Sequence, residues 1–277
     1  MIIKNDRLHR LLPALLALAL LLALSPSPAS ASTYGLTSSN KTALDKLIAA
    51  SDQTTARKLE QQYKDVLARQ SEEAGWDTRI RELHYANEER IAKLRTAIRQ
   101  IGDSKIRQLE QQVQQTKARY KPLLDTQTVL NRQIAAAKPL KDKELNKALK
   151  VQADQLRWAV QLARDDIRAR EQALKQAKAE KTKTTKKLRD MLAGVDPIKV
   201  QIRSAKSTIS ALKKQAASGW QEANQAIRKR DASGASRSLA SLVTITRQLA
   251  ADKQKQHGLE TKISELITRV EREMPRN

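Results

Sequence analysis

Leu109–Ala137 reads LEQQVQQTKARYKPLLDTQTVLNRQIAAA, and the spacing within it decides the fold. Leu109, Val113, Thr116, Tyr120, Leu123, Gln127, Leu130, Ile134 and Ala137 recur at alternating steps of four and three. That spacing keeps one stripe of an α-helix against a long partner helix. Pro122 lies inside the run and predicts a kink or a fresh helix start, because its ring lacks an N–H and crowds the preceding turn.

Upstream of this run, Ser38-Ser39-Asn40 is a helix start ahead of Leu44, Leu47 and Ile48, and the stripe continues through Leu59, Tyr63, Val66 and Leu67. Gly75, with Ser71 and Asp77 near it, predicts a break or kink near 71–77. Ile80, Asn87, Leu94 and Ile101 then fall at sevens, before a second break at Gly102-Asp103-Ser104.

Downstream, Pro139 in Lys138–Glu144 predicts a chain reversal. The following helix carries two lines of sevens, Leu149 to Met191 and Ala153 to Leu188, diluted by Arg170 and Lys181. At Ala193-Gly194-Val195-Asp196-Pro197 a glycine suits a helix C-terminus, an aspartate can cap, and a proline suits a first helical turn. This predicts a tight turn joining two long basic helices into a hairpin. Ile198 to Ile227 continue at threes and fours, and Arg230–Gly234 predicts another helix–helix turn. In the last helix Lys253, Gln256 and Glu260 occupy stripe positions between Leu249 and Ile263, which predicts a weakly buried or hinged middle.

The fold class is therefore all-α: an elongated antiparallel helical bundle or coiled coil of three to four long helices. The chain has no Phe and only 3% aromatic residues, so its apolar material is aliphatic and distributed along stripes. The organisation reads as a signal peptide over 1–31, a helical arm over 32–137, and a basic hairpin with a return helix over 138–277, the last two in one continuous bundle. Lys4, Arg7 and Arg10, the apolar run Leu11–Leu24 and Ala29-Ser30-Ala31 carry the signal reading, with cleavage predicted between Ala31 and Ser32. Fourteen apolar residues fall short of the ~20 that span a bilayer. An absence of cysteine rules out disulfides and a lipidated cysteine.

The formal charge is +23; residues 1–31 hold three of the basic residues and one acid, so the remainder carries +21. An excess of that size implies an anionic surrounding, such as wall polymer, acidic polysaccharide, a phospholipid surface or nucleic acid. It is densest in Lys175–Lys214, with twelve Lys/Arg against three Asp/Glu. Lys181, Lys183, Lys186, Lys187 and Arg189 approach the predicted Gly194 turn, and Lys199, Arg203, Lys206, Lys213 and Lys214 leave it. A second group, Arg228, Lys229, Arg230 and Arg237, surrounds the other turn. Cations repeated along a rigid helix suit repeated phosphates or carboxylates.

Catalytic patterns are missing. After residue 31 only His84 and His257 remain, and His84 with Glu88 reads as a solvated helix face rather than a metal site. No G-x-S-x-G, phosphate loop or dinucleotide fingerprint occurs. Glu72-Glu73, Glu88-Glu89 and Asp165-Asp166 are helix neighbours pointing about 100° apart, which suits surface ion pairs better than an acid–base pair across a substrate. Asn40-Lys41-Thr42 matches a glycosylation acceptor, at a predicted helix start. Trp220 reads as core, Trp158 as a bundle edge, and Trp76 sits beside the suspected break at Gly75.

These features predict a non-enzymatic bacterial protein, secreted or associated with the cell wall, with neither cofactor nor metal. It would bind anionic envelope polymers through the basic hairpin in a structural or scaffolding role. In charge and helical design it resembles the basic helical wall-attachment regions of some Gram-positive surface-layer proteins, a resemblance that transfers no residue. One alternative is an exported protein–protein interaction or chaperone-like rod docking a partner at Lys253–Glu260. Another is binding of extracellular DNA, for which Lys175–Lys214 lacks the stacking aromatics common in single-strand binders. Binding to a membrane surface is disfavoured, because the aliphatic stripes are explained by helices packing on each other.

Overall fold

The computed structural model describes residues 35–275; the signal segment and its cleavage site lie outside them. Six α-helices account for nearly all of these residues: α1 Ser38–Ala49, α2 Gln53–Gln100, α3 Asp103–Ala137, α4 Lys143–Ala193, α5 Val195–Arg228 and α6 Ala232–Glu273. No strand occurs among the described residues, and no helix there is long and apolar enough to cross a membrane. The fold is an all-α helical bundle.

Two compact units are present, each assembled from separated stretches. One holds 35–74 with Ser207–Asp252, the other Gly75–Lys206 with 253–275. The Lys138–Asp142 turn lies inside the second unit. In the first unit Leu44 and Leu47 of α1 meet Leu59 and Val66 of α2, Trp220 and Ile227 of α5, and Leu239 and Leu242 of α6. Trp220 is a core residue as its spacing predicts, 3% exposed. Gly219, one position before it, admits Leu242: a Cβ there would lie 3.0 Å from Leu242 Cδ2. In the second unit Ile91, Leu94 and Ile98 of α2 pack with Leu188 and Leu192 of α4, Ile202 of α5, and Ile263, Ile267 and Val270 of α6.

α3 and α4 form an antiparallel pair, closed by a 3-10 turn over Lys138–Leu140 and by Lys141 at φ 54°. Asp142 caps α4 by accepting from the Leu145 N–H at 3.0 Å. Polar rungs run the length of the pair: Lys117–Glu171 at 2.6 Å, Lys178–Glu110 at 2.7 Å, and Tyr120 donating to Asp166 at 3.2 Å. The predicted reversal at Pro139 is present. Pro122, by contrast, starts no new helix and lies within α3.

The Gly194 hairpin is not present. Within the second unit, Lys178 and Lys181 of α4 pair with Glu110 and Asp103, and Lys199 of α5 then pairs with Glu88. Numbers rise on one side and fall on the other across the whole series, so α4 and α5 run in the same direction. Gly194 keeps right-handed angles, φ −58° and ψ −13°, and its N–H reaches Met191 O at 3.2 Å. The glycine is there for space: a Cβ would lie 2.9 Å from Leu266 Cδ1 of α6. A glycine, a capping acid and a proline thus interrupt the helix without turning the chain.

The real turn is at Lys229–Asp231, where Arg230 takes the left-handed φ of 57° and the Asp231 N–H bonds Ala226 O at 2.9 Å. Asp231 Oδ1 accepts from the Gly234 N–H at 2.9 Å and so caps α6. Gly102, at φ 73°, makes the predicted break between α2 and α3. Of the break or kink expected near 71–77, the break is absent: α2 runs unbroken through Gly75. There the Arg79 Nε donates to Gly75 O at 3.2 Å while its guanidinium lies 3.9 Å over the Trp76 ring. An unpredicted break at Ala50–Asp52 instead separates α1 from α2.

Candidate anion-binding site

The lysines of α4 and α5 are largely committed within the chain. Lys181 pairs with Asp103, Lys186 with Asp190 at 3.3 Å, Lys187 with Glu273 at 2.6 Å, Lys199 with Glu88 at 2.6 Å and Lys213 with Glu73 at 3.4 Å. Among the described residues Lys183, Arg189, Arg203, Lys206 and Lys214 make no such ion pair, but they do not converge. Arg189 lines a groove with Arg95 and Arg99, whereas Arg203 and Lys206 line another with His84 and Glu88. Without a reversal at Gly194, the first cluster is spread along a continuing helical run instead of gathered at one end.

The second cluster does converge, in the first unit. Arg228, Arg230 and Arg237 line a concavity of about 1240 Å³ together with Lys46 of α1 and Lys58 of α2. Among the described residues none of these five cations forms an ion pair with a carboxylate. Lys229 is exposed beside them but does not line the concavity. Local structure sets the arrangement. The left-handed Arg230 ends α5, so that Arg228 and Arg230 precede the α6 start and Arg237 follows it within two turns. Asn40, 3% exposed, donates from its amide to Asn224 Oδ1 at 2.7 Å and accepts from Arg228 Nε at 3.1 Å. Arg228 is thereby held before any ligand arrives. The same bonds leave the Asn40 amide engaged and buried, unlike an exposed sugar acceptor.

Asp52 is the one carboxylate in the lining, and α2 uses it as its cap: the N–H groups of Thr54 and Thr55 each donate to Oδ1 at 3.0 Å. The Thr55 hydroxyl, then the backbone N–H groups, hold its carboxyl below the usual carboxylate range. Ser39, Thr42, Ser51, Ser233 and Ser236 complete the polar lining. Cations and hydroxyls on one concave surface form the donor set that holds phosphates, sulfates and carboxylates. Lys46, Lys58 and Asn40 were not marked as site residues by the sequence. They come from α1 and α2, some 170 or more residues from Arg228 along the chain, and no local pattern joins them.

The stretch Lys253–Glu260 departs from expectation in the other direction. Lys253, Gln256 and Glu260 are 1%, 6% and 1% exposed, so the stripe positions of this stretch are deeply buried while Gln254, Lys255 and Gly258 between them are exposed. Lys253 pairs with Asp77. Glu260 meets His84 Nδ1 at 2.9 Å and accepts from Asn87 Nδ2 at 3.1 Å. His84 therefore reaches from a partly exposed position to the buried Glu260 carboxylate, and Glu88 turns to Lys199 instead. His257 packs on Trp76 with ring centroids 5.4 Å apart. The proposed partner-docking region has no open surface at its three key positions. The adjacent acids behave as surface partners: Glu72 with Arg69, Glu89 with Lys93, Asp165 with Arg168 and Asp166 with Arg170. No family model, no curated protein and no solved structure matches this chain.

Proposed function

We propose that this chain is a non-enzymatic helical protein that holds an anionic polymer of the bacterial envelope and acts there as a structural or scaffolding element. In this reading residues 1–31 export it, and it acts outside the cell or on the wall. The observation that carries the proposal is the concavity of the first unit. Five cations, Lys46, Lys58, Arg228, Arg230 and Arg237, face one space with no carboxylate partner among the described residues. Like charges held together in this way repel, and an incoming polyanion relieves that repulsion. The lysines of α4 and α5 take a lesser part, since five of those ten cations already hold acids of the chain. DNA offers the same anion chemistry and is the alternative polymer. The lining contains no aromatic side chain on which a base could stack.

The test is co-sedimentation of the purified protein with bacterial cell walls, intact or stripped of anionic polymer, across a salt series. A variant with Lys46, Lys58, Arg230 and Arg237 changed to Gln loses most binding. A variant with Lys181, Lys183, Lys186 and Lys187 changed to Gln loses much less. The reverse order would move the site back to α4, and equal binding to stripped walls would remove anionic polymer as the ligand.

A further inference from the structure

The exposed apolar residues of this protein are concentrated on one hairpin. Of the nine large hydrophobics exposed among the described residues, Val129, Leu140, Leu145, Val151, Trp158 and Leu162 lie on α3, α4 or the turn between them. Trp158 is 78% exposed, Leu162 56% and Val151 50%. At 100° per residue, Lys147, Val151, Asp154, Trp158, Leu162 and Asp165 fall within about 80° of one another around α4. That stripe lies opposite the buried side of α4, which carries Val160 at 2% and Ala163 at 0% exposure. A two-helix hairpin has an apolar line to spare here, and a helix with apolar residues on two opposite sides has room for two neighbours.

The order of charges along the stripe identifies the neighbour. Read antiparallel against itself, the stripe places Lys147 of one copy opposite Asp165 of the other and Val151 opposite Leu162. Trp158 meets the Asp154 turn, all with paired numbers summing to 312 or 313. The arrangement is the same from both sides, as a two-fold interface requires. Lys147 and Asp154 make no ion pair among the described residues. Asp165 accepts from Gln161 at 3.0 Å and from Arg168 at 3.5 Å, on an exposed helix surface from which a cross-copy lysine can also reach it. A stripe made for an unlike partner has no reason to be complementary to itself. At about 1.5 Å of rise per residue the two Trp158 side chains would sit roughly 6 Å apart along the axis, close enough to pack together.

We propose that the chain forms a two-fold homodimer in which the α4 stripe centred on Trp158 packs antiparallel against the same stripe of a second copy. The inference does not depend on the polymer-binding reading, because no stripe residue lines the cationic concavity. Dimerisation would double the number of cationic concavities in one particle, and two linked sites hold a polymer longer than one.

Sedimentation velocity of the purified protein over a wide concentration range tests it. The expected result is a dimer whose dissociation constant rises about thirtyfold or more on Trp158→Glu, the scale of removing a central interface anchor. Circular dichroism should remain unchanged, since Trp158 touches no core. Lys147→Asp and Asp165→Lys should each weaken the dimer, by roughly tenfold. The double variant, which rebuilds the same pairs with charges exchanged, should return to within a few-fold of the parent. A protein that is monomeric at every concentration would overturn the proposal and leave the stripe to an unlike partner. A dimer indifferent to Trp158→Glu, or one that the double exchange does not restore, would overturn it equally.

Discussion

Gly194 and Gly258 are both glycines in helical surroundings, and what lies next to each gives them opposite meanings. Nothing approaches within 4 Å of the place a Cβ would take at Gly258, whereas at Gly194 the Leu266 side chain occupies it. Gly258→Ala should therefore stabilise the protein by about 0.5–1 kcal/mol, the helix-propensity difference alone. Gly194→Ala should destabilise it by about 1–3 kcal/mol, because Leu266, a partly buried side chain packed against the core, has to shift. Urea unfolding of the two variants side by side measures both signs. Glu271 makes a separate prediction about pH. Hydrogen bonds from the Arg90 guanidinium, at 2.7 and 3.1 Å, hold its carboxyl below the usual carboxylate range. A carboxyl with a depressed folded value contributes stability that is fully present above its unfolded value and disappears as pH falls through the folded one. Both side chains are partly solvated, so Glu271→Gln should cost no more than about 1 kcal/mol at neutral pH. That cost should vanish in acid, and thermal unfolding at the two pH values reads the difference.

At the scale of the helix, Pro122 is the clearest local conflict, since it stands in the interior of α3 without ending it. An interior proline costs a helix about 3 kcal/mol through its missing N–H and its clash with the preceding turn. The long seam against α4 holds the helix together regardless. Pro122→Ala should raise stability by about 1–3 kcal/mol, with slower amide exchange confined to α3. The seam itself, Leu109 to Ala137, was legible in the sequence because a four–three spacing sustained over eight steps has one structural meaning. Gly194 was not. Cap signals are local and look alike whether a chain reverses or only bends, and what decides between them is Leu266, more than seventy residues away. Lys253, Gln256 and Glu260 misled for a related reason. Polar residues on a stripe usually mark solvent, but here Asp77 on α2 supplies a partner for Lys253, and His84 and Asn87 supply partners for Glu260, that let those two be buried. Removing one side of such a pairing is costly. Glu260→Ala should lose about 2 kcal/mol, removing the carboxylate from His84 and leaving Asn87 only the Glu260 backbone carbonyl, and combining it with His84→Ala should cost less than the two separate losses together.

Over the whole molecule the question is how a charge of +23 is distributed between holding the fold and meeting a partner. The sequence made both basic clusters visible, as composition always does, and put the greater weight on the denser one. The structure weighs them differently, because a cation paired with Asp103, Asp190 or Glu273 has part of its field already answered, while five cations that share a concavity with the single carboxylate of Asp52, itself engaged as a helix cap, do not. Salt dependence separates the two cases. Duplex DNA is a convenient linear polyanion for this purpose, since each neutralised phosphate contributes about 0.9 to the slope of log K against log salt. Changing Lys46, Lys58, Arg230 and Arg237 to Gln should flatten that slope by about 3–4 if each meets a phosphate. Changing Lys186 and Lys187 to Gln should flatten it by less than about 1, as their intrachain acids would be released at the same time and add their own repulsion. Fluorescence anisotropy with a labelled duplex over a salt series gives both slopes. If the two variants lost slope in proportion to the number of charges removed, attraction would belong to the net charge of the chain and not to the concavity. If only the first variant lost it, the five cations around Arg228 would be acting together on one strand of polymer.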